Sequence, residues 1–291
     1  MSSLAKYSRY NCDVCGSDSP IEIEVLRKYT DNQPIHVCKN CGFIYVVNRR
    51  TSKEIANVWS NEIFSDEKKF GFKEYSTKIP ALVARQVFVA ETVENFCHLK
   101  EKSLCDIGAG EGDFLKIIRD KFTSQVFGIE PSEKLCQLMS EDNIPNFNGP
   151  IEEYESNPES KKFDVITIMW TLEATSDPNL MIRVAKNLLK DNGSLVIATG
   201  SRILVPFKKP LQYYITSDEP DTHPSRFSLN TLTRLLNNHN LDLSFTNRYI
   251  DQDWLCVIAQ KKRKSFSKKK DNYKKIIDFF EKWDIDSQKY K

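Results

Sequence analysis

The sequence predicts an α/β protein, with a doubly wound, mostly parallel sheet preceded by a small module folded around cysteines. Three observations carry this. Apolar runs with strand and helix periods alternate from residue 80 to residue 260. A glycine-rich run, Cys105-Asp106-Ile107-Gly108-Ala109-Gly110-Glu111-Gly112-Asp113-Phe114, joins a strand-like segment to a helix-like one. Two Cys-x-x-Cys units stand near the N-terminus.

The first element is the cysteine module, assigned to residues 1–48. Cys12-Asp13-Val14-Cys15-Gly16 and Cys38-Lys39-Asn40-Cys41-Gly42 repeat one short unit, with 22 residues between the two pairs. Each turn aims two thiolates at one ion, and the glycine that follows can take the left-handed conformation that closes it. Four sulfurs in a tetrahedron suit structural zinc and leave no open position for catalysis, so Cys12, Cys15, Cys38 and Cys41 are the expected metal ligands of a zinc ribbon. Its strands are expected at 21–29 and 35–37. Cys97, Cys105, Cys136 and Cys256 stand singly in apolar or helical stretches and read as buried, reduced thiols.

A polar, aromatic-bearing linker follows over residues 49–79. Pro80 then opens a helix whose apolar residues Leu82, Val83, Val87, Val89, Ala90 and Val93 spread over a broad face. Strand 103–107, the glycine turn and helix 114–121 come next, then strand 126–129. Pro131 and Ser132 start a helix over 132–139. A weak strand is expected at 146–147 and a strong, β-branched one at 163–170. Helix 179–189 should stop at Asp191-Asn192-Gly193, before strand 194–199. Helix 229–238 precedes strands 241–247 and 254–259, read as a terminal antiparallel hairpin.

Composition bounds the rest. The chain has 291 residues, 40% of them apolar, and no window approaches the ~18 uninterrupted apolar residues of a membrane span. Residues 1–10 lack an apolar core of signal-peptide type, so a cytoplasmic location is the expectation. The net charge of +2 hides a split, because residues 261–291 carry twelve Lys/Arg and five Asp/Glu. Such a basic tail is read as solvated rather than as a nucleic-acid or lipid contact. Within it, 271–284 has the pattern of a short helix with Ile276, Ile277, Phe279, Phe280 and Trp283 packing on something.

The glycine turn points to a ligand. Glycines at a strand-to-helix turn let backbone approach a ligand closely, and an acid after the next strand can hold ribose hydroxyls. Here that acid is Glu130, eighteen positions past Gly112. The pattern is Asp-x-Gly-x-Gly-x-Gly, not the Gly-x-Gly-x-x-Gly that faces a pyrophosphate, and no basic residue lies within the loop. Asp106 at the strand tip disfavours a phosphate and favours a cation, such as an α-ammonium or a sulfonium. This is a nucleoside site on a Rossmann-like sheet.

That run resembles motif I of the class I S-adenosylmethionine-dependent methyltransferases, and the resemblance covers residues 80–260. Lys162-Phe163-Asp164-Val165-Ile166 resembles the family's fourth strand, Leu172-Glu173 with Asp177-Pro178 the turn after it, and Asp191-Asn192-Gly193-Ser194-Leu195 its fifth-strand entry. With the ribbon in front, the chain is similar to bacterial zinc-ribbon methyltransferases of polysaccharide and sugar-modification clusters. His223-Pro224-Ser225-Arg226-Phe227-Ser228-Leu229 is similar to the His-x-x-x-Phe-Ser stretch these proteins carry before their last helix. One departure stands out: where many relatives have histidine after Leu172-Glu173, this chain has Ala174.

The resemblance implies S-adenosylmethionine as cofactor and assigns roles. Asp106, Gly108, Ala109, Gly110 and Gly112 would shape the amino-acid end of the donor site, and Glu130 would accept both ribose hydroxyls. Pro131 and Ile151-Glu152-Glu153 would lie near the adenine, with Trp170 beside the reactive methyl. The helix before the first strand would cover the pocket. His223 is the candidate base, its ordinary pKa of ~6.5 suiting proton removal near neutrality; Glu173, Tyr214 and Tyr213 are weaker candidates. His36 is assigned to the ribbon, and His98 and His239 to the surface. Three functions follow: a methyltransferase acting on a small molecule, with a sugar or nucleotide-sugar acceptor; an RNA methyltransferase using the ribbon and basic tail; or a non-catalytic scaffold of the same fold. No Asn-Pro-Pro-Tyr motif and no cysteine in a catalytic motif context support the second, and the intact glycines with Glu130 speak against the third.

Overall fold

The structure is a computed structural model that describes residues 7–51, 54–55, 80–122, 125–200, 210–217, 222–248, 254–262 and 269–289. Of the residues assigned to the linker, 52–53 and 56–79 lie outside this set.

Seven strands form the main sheet: β6 (Ser103–Ile107), β7 (Gln125–Glu130), β8 (Asn146–Asn148), β9 (Phe163–Met169), β10 (Leu189–Gly200), β12 (Leu241–Thr246) and β13 (Trp254–Lys261), in the order β12-β13-β10-β9-β6-β7-β8. The five strands from β10 to β8 run parallel, while β13 pairs antiparallel with both β10 and β12. The weak strand is real but only three residues long. Strand β10 runs on through Asp191-Asn192-Gly193 with a register shift, so the expected stop becomes an irregularity within a strand.

Side chains alternate across this sheet, as a period of two requires. Cys105, Ile107, Ile166, Ile168, Leu195 and Ile197 face one way, toward α4 (Ile151–Ser156), α5 (Pro178–Leu188) and α6 (Leu229–Asn238). Leu104, Val126, Val165, Val196 and Ile258 face the other, against α1 (Pro80–Cys97), α2 (Asp113–Phe122) and α3 (Glu133–Glu141). Both faces are thus covered by helices. The crossover connections leave every parallel strand ending at the same edge, and that edge carries the site.

The cysteine module is built into this body. Strands β2 (Pro20–Glu22), β3 (His36–Cys38) and β4 (Ile44–Tyr45) form an antiparallel sheet, and β11 (Ser225–Arg226), from the far end of the sequence, pairs with β4 as its fourth strand. Residues 24–29 were expected to continue the first ribbon strand. Instead Glu24–Tyr29 is a 3-10 helix with Leu26 buried: the ladder with β3 ends at Glu22, and the Ile23 amide donates to the Ile35 carbonyl at 2.9 Å before the chain turns away. Strand β5 (Asn48–Arg50) pairs with β1 (Tyr7–Arg9), which carries the module's fold past residue 48.

The C-terminal segment corrects the expectation of a solvated tail. Residues Tyr273–Gln288 form helix α7, capped by Asn272, whose side chain accepts from the Lys274 and Lys275 amides. Ile276, Phe280 and Trp283 recur at helical spacing and pack with Ile23, Leu26, Ile35, Val37 and Leu211. Lys28 Nζ lies 2.7 Å from the Asp284 carboxylate, which also accepts from the Tyr29 hydroxyl. Among the described residues, no helix is long and apolar enough to cross a membrane.

Candidate donor site and four-cysteine centre

The site forms where β6, β7 and β9 end. The chain leaves β6 through a turn in which Gly108, Gly110 and Gly112 all have positive φ. At Gly108 glycine is required twice over: φ is +71°, and a Cβ there would stand 2.4 Å from Thr171 Cγ2. The Gly110 amide donates to Glu130 Oε2 at 3.0 Å, and the Ser132 amide to Oε1 at 3.0 Å. Two N–H groups thus fix the Glu130 carboxylate at the tip of β7. Burial raises its pKa, and the two N–H bonds oppose that rise.

Asp106 lies behind the turn, 1% exposed, accepting from the Thr167 hydroxyl at 2.6 Å. Desolvation pushes its pKa up to about 8, with Glu130 adding a like charge nearby. The Gly112 amide donates to the Ala109 carbonyl at 3.0 Å and closes the turn into α2.

A cleft of about 240 Å³ opens in front of these groups. One wall is Ile107, Gly108, Gly110, Ile129, Glu130, Pro131 and Leu135 with Gly149, Pro150, Ile151 and Glu152; the other is Met169, Trp170, Thr171, Ala174, Thr175, Ser176 and Met181, with Ile55. Trp170 follows the last residue of β9 in a left-handed conformation, φ +55°. Its amide donates to the Ala198 carbonyl at 2.7 Å, and its indole lies beneath the Arg85 guanidinium at 4.2 Å and beside Trp254. The indole Nε1 is buried without a hydrogen-bond partner among the described residues.

The structure therefore gathers Gly108, Gly110, Glu130, Pro131, Glu152 and Trp170 around one cavity, with Asp106, Ala109 and Gly112 supporting the turn. The four candidates for proton removal lie elsewhere. The Glu173 carboxylate is 5% exposed and accepts from Thr199 Oγ1 at 2.6 Å and the Gly200 amide at 2.8 Å, tying its loop to the end of β10. Tyr214 packs against Trp283 with the rings tilted, in the cluster beneath α7, while Tyr213 is exposed. His223 sits beside β11 with Nδ1 2.9 Å from the Thr222 hydroxyl. None of the four lines the described cleft. His239, expected at the surface, is half-buried with Nε2 2.9 Å from Asn179 Oδ1.

Thr171, Thr175, Ser176 and Ile55 are wall residues that sequence reasoning missed. The likeness of Leu172-Glu173 to a known turn located the loop, but periodicity does not say which of its side chains face a cavity. Ile55 stands in a segment with no periodic pattern.

The four thiols of the ribbon converge. Cys12 and Cys41 Sγ are 3.5 Å apart, Cys15 and Cys38 Sγ 3.6 Å, and all four sulfurs lie within 4.8 Å of one another. A tetrahedron with Zn–S bonds of about 2.3 Å has sulfur–sulfur edges of about 3.8 Å, so the donor set and its spacing fit zinc. Ser17 Oγ lies 3.1 Å from Cys15 Sγ and 3.2 Å from Cys38 Sγ, within reach to donate to thiolates.

A family model described as "Methyltransferase domain" matches residues 78–244. A ubiquinone biosynthesis O-methyltransferase of Coxiella burnetii is 32% identical over 114 residues, covering 38% of this chain and 48% of the relative. One from Pelagibacter ubique is 32% identical over 109 residues, covering 36% and 45%. The matches thus span about half the length of these curated relatives. Among solved structures, magnesium protoporphyrin IX methyltransferase from Synechocystis, with bound SAH, superposes at a TM-score of 0.54 with 13% identity, covering 72% of this chain and 100% of that one. A plantazolicin methyltransferase in complex with SAH gives 0.51 at 16% identity, covering 72% and 95%. At these identities the structures show a shared fold.

Proposed function

The chain belongs to the methyltransferase-domain family, and on that footing we propose that its cleft binds S-adenosylmethionine and that the protein methylates a small-molecule acceptor. The single observation that carries this is Glu130. Its carboxylate is held by the Gly110 and Ser132 amides at the rim of a cleft whose other side chains are mostly apolar. With one N–H on each oxygen, further lone pairs remain to accept two hydroxyl donors, which is what a ribose presents.

When bound, S-adenosylmethionine supplies a methyl group already activated by a sulfonium. The protein's own work is then alignment and exclusion of water. Glu130 anchors the ribose. Pro131 and the stretch Gly149–Glu152 bound the adenine side. Met169, Trp170 and Met181 keep the interior dry, and Asp106 sets the charge behind the amino-acid end. For removal of the acceptor proton we place His223, outside the donor cleft itself, ahead of Glu173 and Tyr214. Thr222 orients the His223 ring, whereas the Glu173 carboxylate is committed to Thr199 and Gly200, and Tyr214 is packed on Trp283. Cys12, Cys15, Cys38 and Cys41 would hold a structural zinc.

For the acceptor we propose a sugar or nucleotide sugar, the class implied by the ribbon-bearing methyltransferases this chain resembles. The RNA-methylating alternative draws less support, because α7 and β11 are packed on the ribbon that would have to grip nucleic acid. The test is formation of S-adenosylhomocysteine from S-adenosylmethionine over a panel of nucleotide sugars, free sugars, phenols and short RNA. Turnover with a sugar-type member is expected. Turnover confined to phenols or RNA would replace the acceptor class.

A further inference from the structure

Arg49 is the most deeply buried cation described, 1% exposed, and its guanidinium touches three separate stretches of chain. Nη2 donates to both oxygens of Asp13, at 2.7 and 2.9 Å; Nη1 donates to the Val46 carbonyl at 3.3 Å; and Nε donates to the Ser176 carbonyl at 2.9 Å. The Tyr10 ring covers its face at 4.2 Å. Asp13 lies inside the first Cys-x-x-Cys turn, between Cys12 and Cys15. Ser176 lies in the wall of the donor cleft. One rigid, planar side chain therefore spans from the four-cysteine centre to the cleft.

Two further bridges run in parallel. Asn179 Nδ2 donates to the Asp13 carbonyl, and α5 starts one residue before Asn179. The Ser225 amide donates to the Glu173 carbonyl at 3.2 Å, and Ser225 belongs to β11, which the ribbon strand β4 holds. The wall segment 173–179 is thus fastened to the ribbon at Glu173, Ser176 and Asn179. Burying a guanidinium and a carboxylate is a poor way to gain stability alone, because desolvation offsets most of their attraction. What such a pair gives that apolar packing does not is a fixed distance and direction between the segments it joins.

We propose that Arg49 is a positioning residue through which the ribbon sets the cleft wall, so that metal held by the four cysteines and ligand held in the donor site stabilise one another. The inference rests on the donor-site reading above. Linkage makes it testable from either end: if an intact ribbon favours donor binding by some factor, donor binding favours metal retention by the same factor.

The experiment uses the full zinc-loaded chain. Zinc is withdrawn by competition with a chromogenic chelator at equilibrium, with and without saturating S-adenosylhomocysteine. Wild type should hold zinc about tenfold more tightly with the ligand present, within the usual range of such couplings. Arg49→Lys keeps a positive charge for Asp13 but lacks the fork that reaches Ser176. It should load one zinc and lose most of the ligand effect. Should that variant fail to load zinc, Asp13→Asn with Arg49→Gln, uncharged on both sides, makes the same comparison. A ligand effect that persists in the loaded variant overturns the proposal. Wild type that binds S-adenosylhomocysteine with unchanged zinc retention also overturns it and leaves the donor site standing, whereas wild type that binds none removes both readings.

Discussion

At the scale of single residues, Asp106 makes a sharp prediction. Its carboxyl, pushed up to about 8 by burial, is mostly protonated at pH 7 in the ligand-free chain. A ligand α-ammonium settling nearby favours the carboxylate, so binding at pH 7 should release a proton. The release should fall as pH rises through about 8, where half of the carboxyls are already ionised. Binding enthalpies of S-adenosylhomocysteine at pH 7, in buffers of different ionisation enthalpy, measure this directly, and Asp106→Asn should abolish the difference. The stability sign follows from the same shift. Between the ordinary carboxylate range and about pH 8 the folded chain holds a proton that the unfolded chain does not, so stability falls as pH rises through that window. Asn keeps an acceptor for Thr167 and carries no charge, so Asp106→Asn should raise the thermal midpoint at pH 8 more than at pH 5. A midpoint change equal at both pH values contradicts the assignment. That Asp106, Gly108, Gly110 and Glu130 meet at one turn was legible in the sequence because their spacing along the chain is the signal. The engagements of Glu173, Tyr214 and Arg49 were not, because their partners Thr199, Trp283 and Ser176 lie 26, 69 and 127 positions away in the chain.

At the scale of elements, long periodic runs were readable and short ones were not. The apolar strands at 103–107, 163–169 and 254–261 and helix Leu229–Asn238 stand close to where pattern puts them. Two-residue β11 has no pattern to read; only its partner β4 makes it a strand. Helix α7 was legible as an apolar stripe, but what it covers was not. Its anchor is the second cysteine turn, where the Asp271 amide donates to the Cys41 carbonyl at 2.9 Å and the Asp271 side chain accepts from Asn230 Nδ2 at 2.8 Å. Gly42 has φ +78°, and a Cβ there would stand 2.5 Å from Asp271 Cβ. Gly42→Ala should therefore cost at least about 1–2 kcal/mol from the left-handed backbone alone. It should also loosen α7, seen as faster amide exchange over 273–288 beside a lower urea midpoint. Unchanged exchange over that helix would show that the anchor does not hold it.

At the scale of the whole molecule, the ribbon and the methyltransferase fold share one core. Cys12, Cys38, Cys41, Phe43 and Tyr45 belong to the same buried cluster as Ile166, Leu195 and Leu235, and Phe43 packs on Phe227 at 5.1 Å. A sequence read in order places a ribbon in front of a catalytic fold; the folded chain sets it alongside, between α7 and the wall of the cleft. The central claim remains that this cleft is a donor site organised by Glu130. Calorimetric titration of the zinc-loaded chain with S-adenosylhomocysteine, beside Glu130→Ala, tests it most directly. The account predicts micromolar binding by wild type. Losing two hydroxyl bonds to a carboxylate, at about 1.5 kcal/mol or more each, should weaken the variant on the order of 100-fold. Failure of a folded, zinc-replete wild-type chain to bind, or equal binding by the two proteins, contradicts it.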